Sequence, residues 1–280
     1  MSDVFPELAI ALIVLAGVLG LLIGSFLNVV VWRLPRGESL SHPGSACPKC
    51  GHPIRRWDNI PVASWLILRA KCRDCGEPIS GRYPAVEAAT GVFFAGIAFW
   101  VIAGGLPVQS DFAVIIATAS FLYLAAITVA LALIDLDIHK LPNKIVLPAY
   151  IVGFVTLAGA SVIEGDYGQI LRSAIGAAIL FVAYFIMAIV RPGGMGFGDV
   201  KLAGVLGLYL GWLGWGELAV GAFAAFVLGG VFSIVLIVLK KVTRKSGIPF
   251  GPWMLLGAWV GTFAGGIIAS SYLALFGLGM

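Results

Sequence analysis

Eight apolar segments, at about 8–31, 86–104, 112–134, 144–163, 171–190, 200–213, 217–239 and 252–276, leave this chain few ways to fold. An α-helix rises about 1.5 Å per residue, so about 20 apolar residues cross a hydrocarbon core about 30 Å thick. Backbone N–H and C=O groups in hydrocarbon must find partners inside the segment, which selects helices. The chain is 60% hydrophobic and 11% charged, against about 25% charged residues in soluble domains. It cannot cover itself with a polar surface, and the fold class expected is an all-α polytopic membrane protein with about eight transmembrane helices. Segment 200–213 is short and rich in glycine, which suits a helix packed among others. Segment 8–31 follows Asp3 and Glu7 rather than a basic stretch and is long enough to span, so it reads as a retained helix and not a cleaved signal peptide.

With the N-terminus outside, the connections 32–85, 135–143, 191–199 and 240–251 face the cytoplasm. Seventeen of the eighteen Lys and Arg residues then lie in or beside those connections, Arg172 being the exception. Such an excess of basic residues on one side sets membrane orientation. The formal charge of +4 is therefore a matter of topology and implies no nucleic-acid partner; the surroundings are membrane lipid. The outer connections near 104–111 and 164–169 are short and hold acidic residues, with little room for an external domain. Three regions follow: a first transmembrane helix (1–31), a small cytoplasmic domain (32–85) and a larger transmembrane domain (86–280). Oligomeric state leaves no mark on the sequence.

Residues 32–85 hold all four cysteines, as Cys47-Pro-Lys-Cys50 and Cys72-Arg-Asp-Cys75, each pair followed by a glycine, Gly51 or Gly76. Each Cys-x-x-Cys can wrap one face of a metal, and the glycine permits the turn that aims amide N–H groups at the sulfurs. Lys49, Lys71 and Arg73 would offset the charge of four thiolates. Structural disulfides or a thioredoxin-like redox motif are the alternatives, but a cytoplasmic loop is kept reducing and no βαβ pattern surrounds either pair. A structural Zn²⁺ on Cys47, Cys50, Cys72 and Cys75 is expected, since so small a domain needs a staple.

Among the acidic residues, Asp135 and Asp137 end the third apolar segment, and Asp199 opens the sixth in the run Gly194 to Lys201 (GMGFGDVK). A carboxylate at the edge of hydrocarbon is costly and so points to function. The orientation puts Asp135 and Asp199 at one membrane boundary, where two carboxylates can share a proton, activate water and protonate a leaving amine. Taken alone, Asp199 has the position of an ordinary N-cap, and Asp135 of a helix end. Asp137 lies further into the polar turn, His139 reads as a turn residue, and Asn143 as a cap. Gly194, Gly196 and Gly198 would let an extended backbone approach Asp199, which a cap does not need.

These residues together resemble a known family. Arg33 to Ser39 (RLPRGES), the two cysteine pairs, Asp58 to Pro61 (DNIP), Ser64 to Leu66, Arg82 to Pro84 and Glu87 resemble the N-terminal region of bifunctional type IV prepilin peptidases. Asp135 with Pro142 and Asn143 downstream, Gly196 to Lys201, and Ile248 to Pro252 (IPFGP) are similar to that family's later motifs. The resemblance runs from Gly24 to Pro252. The Gly-x-Gly-Asp run alone is shared with presenilin-like proteases, which lack the cysteine-bearing loop. The resemblance implies that Asp135 and Asp199 are the catalytic aspartates of a peptidase at the cytoplasmic face of the bacterial inner membrane. Its substrates would be type IV prepilins or type II secretion pseudopilins, cut after a glycine and then N-methylated with S-adenosylmethionine. No Gly-rich cofactor fingerprint marks a site for that donor; it would lie in 32–85 and the adjoining helix ends, where Glu87 is a candidate, or equally a structural partner of Arg82.

Two readings from other classes stand beside this one. A transporter or channel would use membrane-edge carboxylates for cations or protons, but it calls for polar groups near the midplane of several spans. A membrane scaffold whose zinc domain binds a partner would explain the cysteines and leave Asp135 and Asp199 without a role.

Overall fold

The computed structural model describes residues 6–191, 195–240 and 248–277; Gly194, expected near the substrate, and the basic residues Lys241, Arg244 and Lys245 lie outside them. Among the described residues there are nine α-helices and no β-strand longer than an isolated bridge: α1 (Pro6–Arg33), α2 (Ala63–Ile67), α3 (Arg82–Ile102), α4 (Asp111–Ile138), α5 (Asn143–Glu164), α6 (Tyr167–Val190), α7 (Phe197–Leu213), α8 (Trp215–Val238) and α9 (Gly251–Ala274). Seven of them are long and apolar enough to cross a membrane, making this a multi-pass membrane protein. The chain divides into two compact units, Met1–Ala103 with Ala125–Ala130, and Gly104–Leu124 with Leu131–Met280.

In the first unit α1 and α3 pack antiparallel along a seam of small residues. A Cβ added at Gly20 would stand 2.6 Å from Thr90 O, and one at Gly24 would stand 2.8 Å from Glu87 Cα. Between lipid-facing helices no hydrophobic effect draws the chains together, so this close backbone approach supplies the contact. Asn28 Nδ2 also donates to Tyr83 O at 3.2 Å.

In the second unit, α7 has only 17 residues, a length of about 25 Å. It falls short of the hydrocarbon thickness, and the sequence explains how it is nonetheless stable. Every residue from Leu202 to Leu213 is buried, with α6 along one side, where a Cβ at Gly176 would stand 2.9 Å from Gly211 Cα. Ser173 Oγ donates to Leu208 O at 2.8 Å. Arg172, the basic residue that the charge distribution left on the outer side, donates to Gly211 O at 2.8 Å and Trp212 O at 2.9 Å. It caps the carbonyls of the last turn of α7, where a cation also meets the negative end of the helix dipole. Glycines form the second tight seam, between α8 and α9: a Cβ at Gly261 would stand 2.7 Å from Gly221 Cα.

Several boundaries differ from the sequence expectation. α4 runs four residues past its apolar segment and ends at His139, whose φ of 53° and N–H bond to Asp135 O close the helix; Asp135 therefore sits inside the last turns and not at a polar end. α6 begins at Tyr167 because Asp166 accepts Gln169 N–H at 3.3 Å as an N-cap. Asn143 is not the cap of α5, a position held by Pro142; its Oδ1 accepts Lys201 Nζ at 3.0 Å instead.

Candidate active site and metal centre

Asp135 is 5% exposed, and a buried carboxyl needs a partner. Its Oδ2 accepts the N–H of Gly251 at 3.1 Å, 116 residues away in sequence. Gly251 is the first residue of α9, so the carboxyl meets an unpaired amide at the positive end of a helix dipole. A side chain there would force a shift: a Cβ would stand 2.7 Å from Asp135 Oδ2 and 3.4 Å from Leu141 Cδ2.

Asp199 occupies the third position of α7 and not its N-cap, which is Gly196. Its Oδ2 reaches back to accept Gly196 N–H at 3.1 Å, while Asp199 N–H donates to Gly196 O at 3.0 Å. One carboxyl oxygen thus does the work of a capping box. The capping alternative is met in part, at a different position from the one the sequence pointed to, and it leaves the rest of the carboxyl half-buried at the mouth of the helix.

The two carboxyls lie within electrostatic range of each other. Leu141, in the turn after α4, packs toward both Gly198 and Gly251: a Cβ at Gly198 would stand 3.0 Å from Leu141 Cβ. The end of α4 and the starts of α7 and α9 therefore converge on one spot. Behind it stand Tyr184, which is within electrostatic range of Asp199, and the rings of Phe226 and Phe250, with centroids 5.6 and 6.3 Å from that of Tyr184. Asp137 is exposed but lies in the last turn of α4 and not in the polar turn expected, and His139, which closes that helix, is exposed as well. Neither Tyr184 nor the Gly251 amide was assigned from sequence; Gly251 stood in a noted motif, but its pairing with Asp135 is long-range and has no periodic signature.

In the first unit the two cysteine pairs fold into matching knuckles. Gly51 N–H donates to Cys47 O and Gly76 N–H to Cys72 O, each at 2.9 Å, with φ of +71° and +73° at the two glycines, a conformation that side chains rarely adopt. The chains then return through Cys47 N to His52 O at 3.0 Å and Cys72 N to Glu77 O at 2.8 Å. All four cysteines are free thiols, and their sulfurs lie within 4.8 Å of one another. The Cys47–Cys75 separation of 3.8 Å equals the edge of about 3.8 Å in a tetrahedron with metal–sulfur bonds of about 2.3 Å. N–H groups of Cys50 and Lys49 pull the Cys47 thiol down to about 6. The Glu77 N–H favours the Cys75 thiolate, but burial and the three neighbouring thiols outweigh it and push Cys75 up to about 12. Four sulfurs this close, on two matching knuckles, form a donor set that could hold a metal ion.

Glu87 is buried, and its Oε2 accepts the Val62 N–H at 2.7 Å. A backbone amide of the cysteine-bearing segment is thus one partner of Glu87.

Residues 18–101 match the Bacterial Peptidase A24 N-terminal domain, and residues 122–234 the Type IV leader peptidase family. The chain is 35% identical to the prepilin leader peptidase/N-methyltransferase of Stutzerimonas stutzeri, over 94% of each chain. It is 32% identical to the protein of that name from Pseudomonas aeruginosa over 98% of each, and 33% to that from Neisseria gonorrhoeae over 88% of each. No solved structure matches the chain significantly. With both domains present in order and this identity sustained along nearly the whole length, the chain belongs to the type IV leader peptidase family.

Proposed function

We propose that the protein is a membrane aspartyl endopeptidase that removes the leader of type IV prepilins or type II secretion pseudopilins and then methylates the new N-terminus. The meeting of Asp135 and Asp199 carries this reading: two carboxyls, one buried and fixed by a helix N-terminus, share a site among the ends of α4, α7 and α9. One carboxylate takes a proton from water as the water oxygen attacks the scissile carbonyl carbon. The other, protonated, donates to the carbonyl oxygen. In the second step a proton passes to the leaving amine nitrogen as the C–N bond breaks, so neither a serine nor a metal need act. A substrate helix lying in the bilayer, with its leader on the side rich in Lys and Arg, brings its scissile bond to this depth. That orientation, with the N-terminus outside and the site at the cytoplasmic face, rests on the distribution of basic residues. The transporter reading is disfavoured because the apolar segments carry almost no charged residues near their midplanes.

Methylation, with S-adenosylmethionine as the methyl donor, is assigned to residues 32–85 and the adjoining helix ends, a region matched by the N-terminal domain model. The test is to incubate purified protein with a prepilin and the donor and weigh the products. Two species are expected, the free leader and a mature chain heavier by one methyl group; an intact prepilin would refute the peptidase assignment.

The metal is proposed to be Zn²⁺, held by Cys47, Cys50, Cys72 and Cys75 and serving structure alone, because four protein ligands close the coordination sphere. Purified protein should contain one zinc per chain. Binding of such a metal is worth about 10–16 kcal/mol in small domains, so Cys72→Ser or chelation should release zinc and expose residues 32–85 to proteolysis. Because thiolates are the ligands, retention should fall as the pH is lowered. Retained protease resistance without metal would contradict the role.

A further inference from the structure

Within the first unit, the cysteine-bearing segment is held close to the ends of two spans. α1 ends at Arg33 and α3 begins at Arg82, and because the two helices are antiparallel the chain leaves and re-enters the bilayer at one face. The segment is tied to α3 next to α2. Val62, the residue before α2, donates its N–H to Glu87, which lies five residues into α3, about 7 Å along its axis. Val62 itself forms a γ-turn with φ 59° and ψ −49°, closed by Ala63 N–H to Pro61 O at 2.6 Å. A β-branched residue rarely takes this conformation, and the buried Glu87 carboxylate fastens it. Ser64 Oγ then joins α2 to the preceding 3₁₀ turn, Arg56–Asn59, donating to Trp57 O at 2.9 Å and accepting Ile60 N–H at 3.0 Å.

The turn and α2 thus make one braced foot at the depth of a helix end. It presents Trp57, Ile60, Leu66 and Ile67, which are 65, 52, 62 and 72% exposed. Arg56, Arg69 and Lys71 are exposed beside them. Three of the segment's four carboxylates serve other cations: Asp58 pairs with Arg73, Asp74 with Arg55 and Glu77 with Lys49. Among the described residues no ion pair engages Arg56, Arg69 or Lys71.

We propose that this foot inserts into the headgroup layer of the leaflet flanking residues 32–85, with its apolar side chains at the acyl boundary and Arg56, Arg69 and Lys71 on the phosphates of anionic lipid. Exposed tryptophan and aliphatic side chains next to unpaired cations are the combination by which interfacial helices bind such a surface. Held there, the foot fixes the height of the cysteine knuckles above the membrane through Glu87 and the Trp65 Nε1 bond to Ile79 O.

The test places a photoreactive p-benzoylphenylalanine at Ile67, or at His52 on the first knuckle, in the full chain reconstituted into nanodiscs of phosphatidylcholine with or without phosphatidylglycerol. Mass spectrometry after irradiation should find lipid adducts at position 67 about fivefold above those at 52, increasing with phosphatidylglycerol. The added Arg56→Gln, Arg69→Gln and Lys71→Gln substitutions should remove that increase. A yield at 67 no higher than at 52, an adduct on protein, or indifference to phosphatidylglycerol would overturn the proposal.

Discussion

Asp135→Asn and Asp199→Asn are each expected to slow prepilin cleavage by about a thousandfold or more, equivalent to about 4 kcal/mol of transition-state stabilisation. Asparagine keeps the shape of the side chain and the oxygen that accepts from Gly251 or Gly196. It cannot take a proton from water or return one to the leaving amine. Each helix end should therefore survive while the chemistry fails, and the thermal unfolding of both variants in detergent should stay close to that of the parent. Asp137→Asn provides the contrast. That residue is exposed in the last turn of α4 and has no part in the proposed proton transfers, so its replacement should leave turnover within about threefold.

Gly251→Ala should cost about a hundredfold in kcat with little change in KM. The added methyl would stand 2.7 Å from Asp135 Oδ2, closer than such atoms approach, and in contact with Leu141 Cδ2 at 3.4 Å. Either the carboxyl rotates or the start of α9 retreats, and both break the bond that holds Asp135. Displacement of a reacting group by about 1 Å is enough for a loss of this size. A role in folding alone would instead lower the melting temperature and the yield of active protein while leaving kcat per active site intact. Measuring kcat, KM and melting temperature together separates the two.

The parts of this structure that the sequence made legible are those set by local chemistry. Apolar length marked the spans, because hydrocarbon permits little besides helix. The Cys-x-x-Cys-Gly repeats marked the knuckles, because the spacing of the ligands and the αL turn are both local. The short segment 200–213 was readable as an internal helix from its glycines, and Leu202 to Leu213 are indeed buried. Other features depend on which helix meets which. Arg172 was an exception to the charge rule until its contacts with Gly211 and Trp212 showed it capping α7. Asn143 looked like a cap in its own helix but serves Lys201. Asp199 was placed one helical role too early, since the same short sequence also lets a carboxylate at the third position reach back to the N–H of the capping residue, Gly196. Tyr184 carried no local mark, and Gly251 only its place in the Ile248 to Pro252 motif, because their significance lies in partners on α7 and α4.

That Asp135 and Asp199 work as one unit is best tested by single-turnover cleavage with excess enzyme, comparing Asp135→Asn, Asp199→Asn and the double variant. Groups that act together lose nearly everything when either is removed, so the double variant should cleave no more slowly than the worse of the two single variants. Losses that multiply, or a single variant that cleaves at the parental rate, would contradict a shared site.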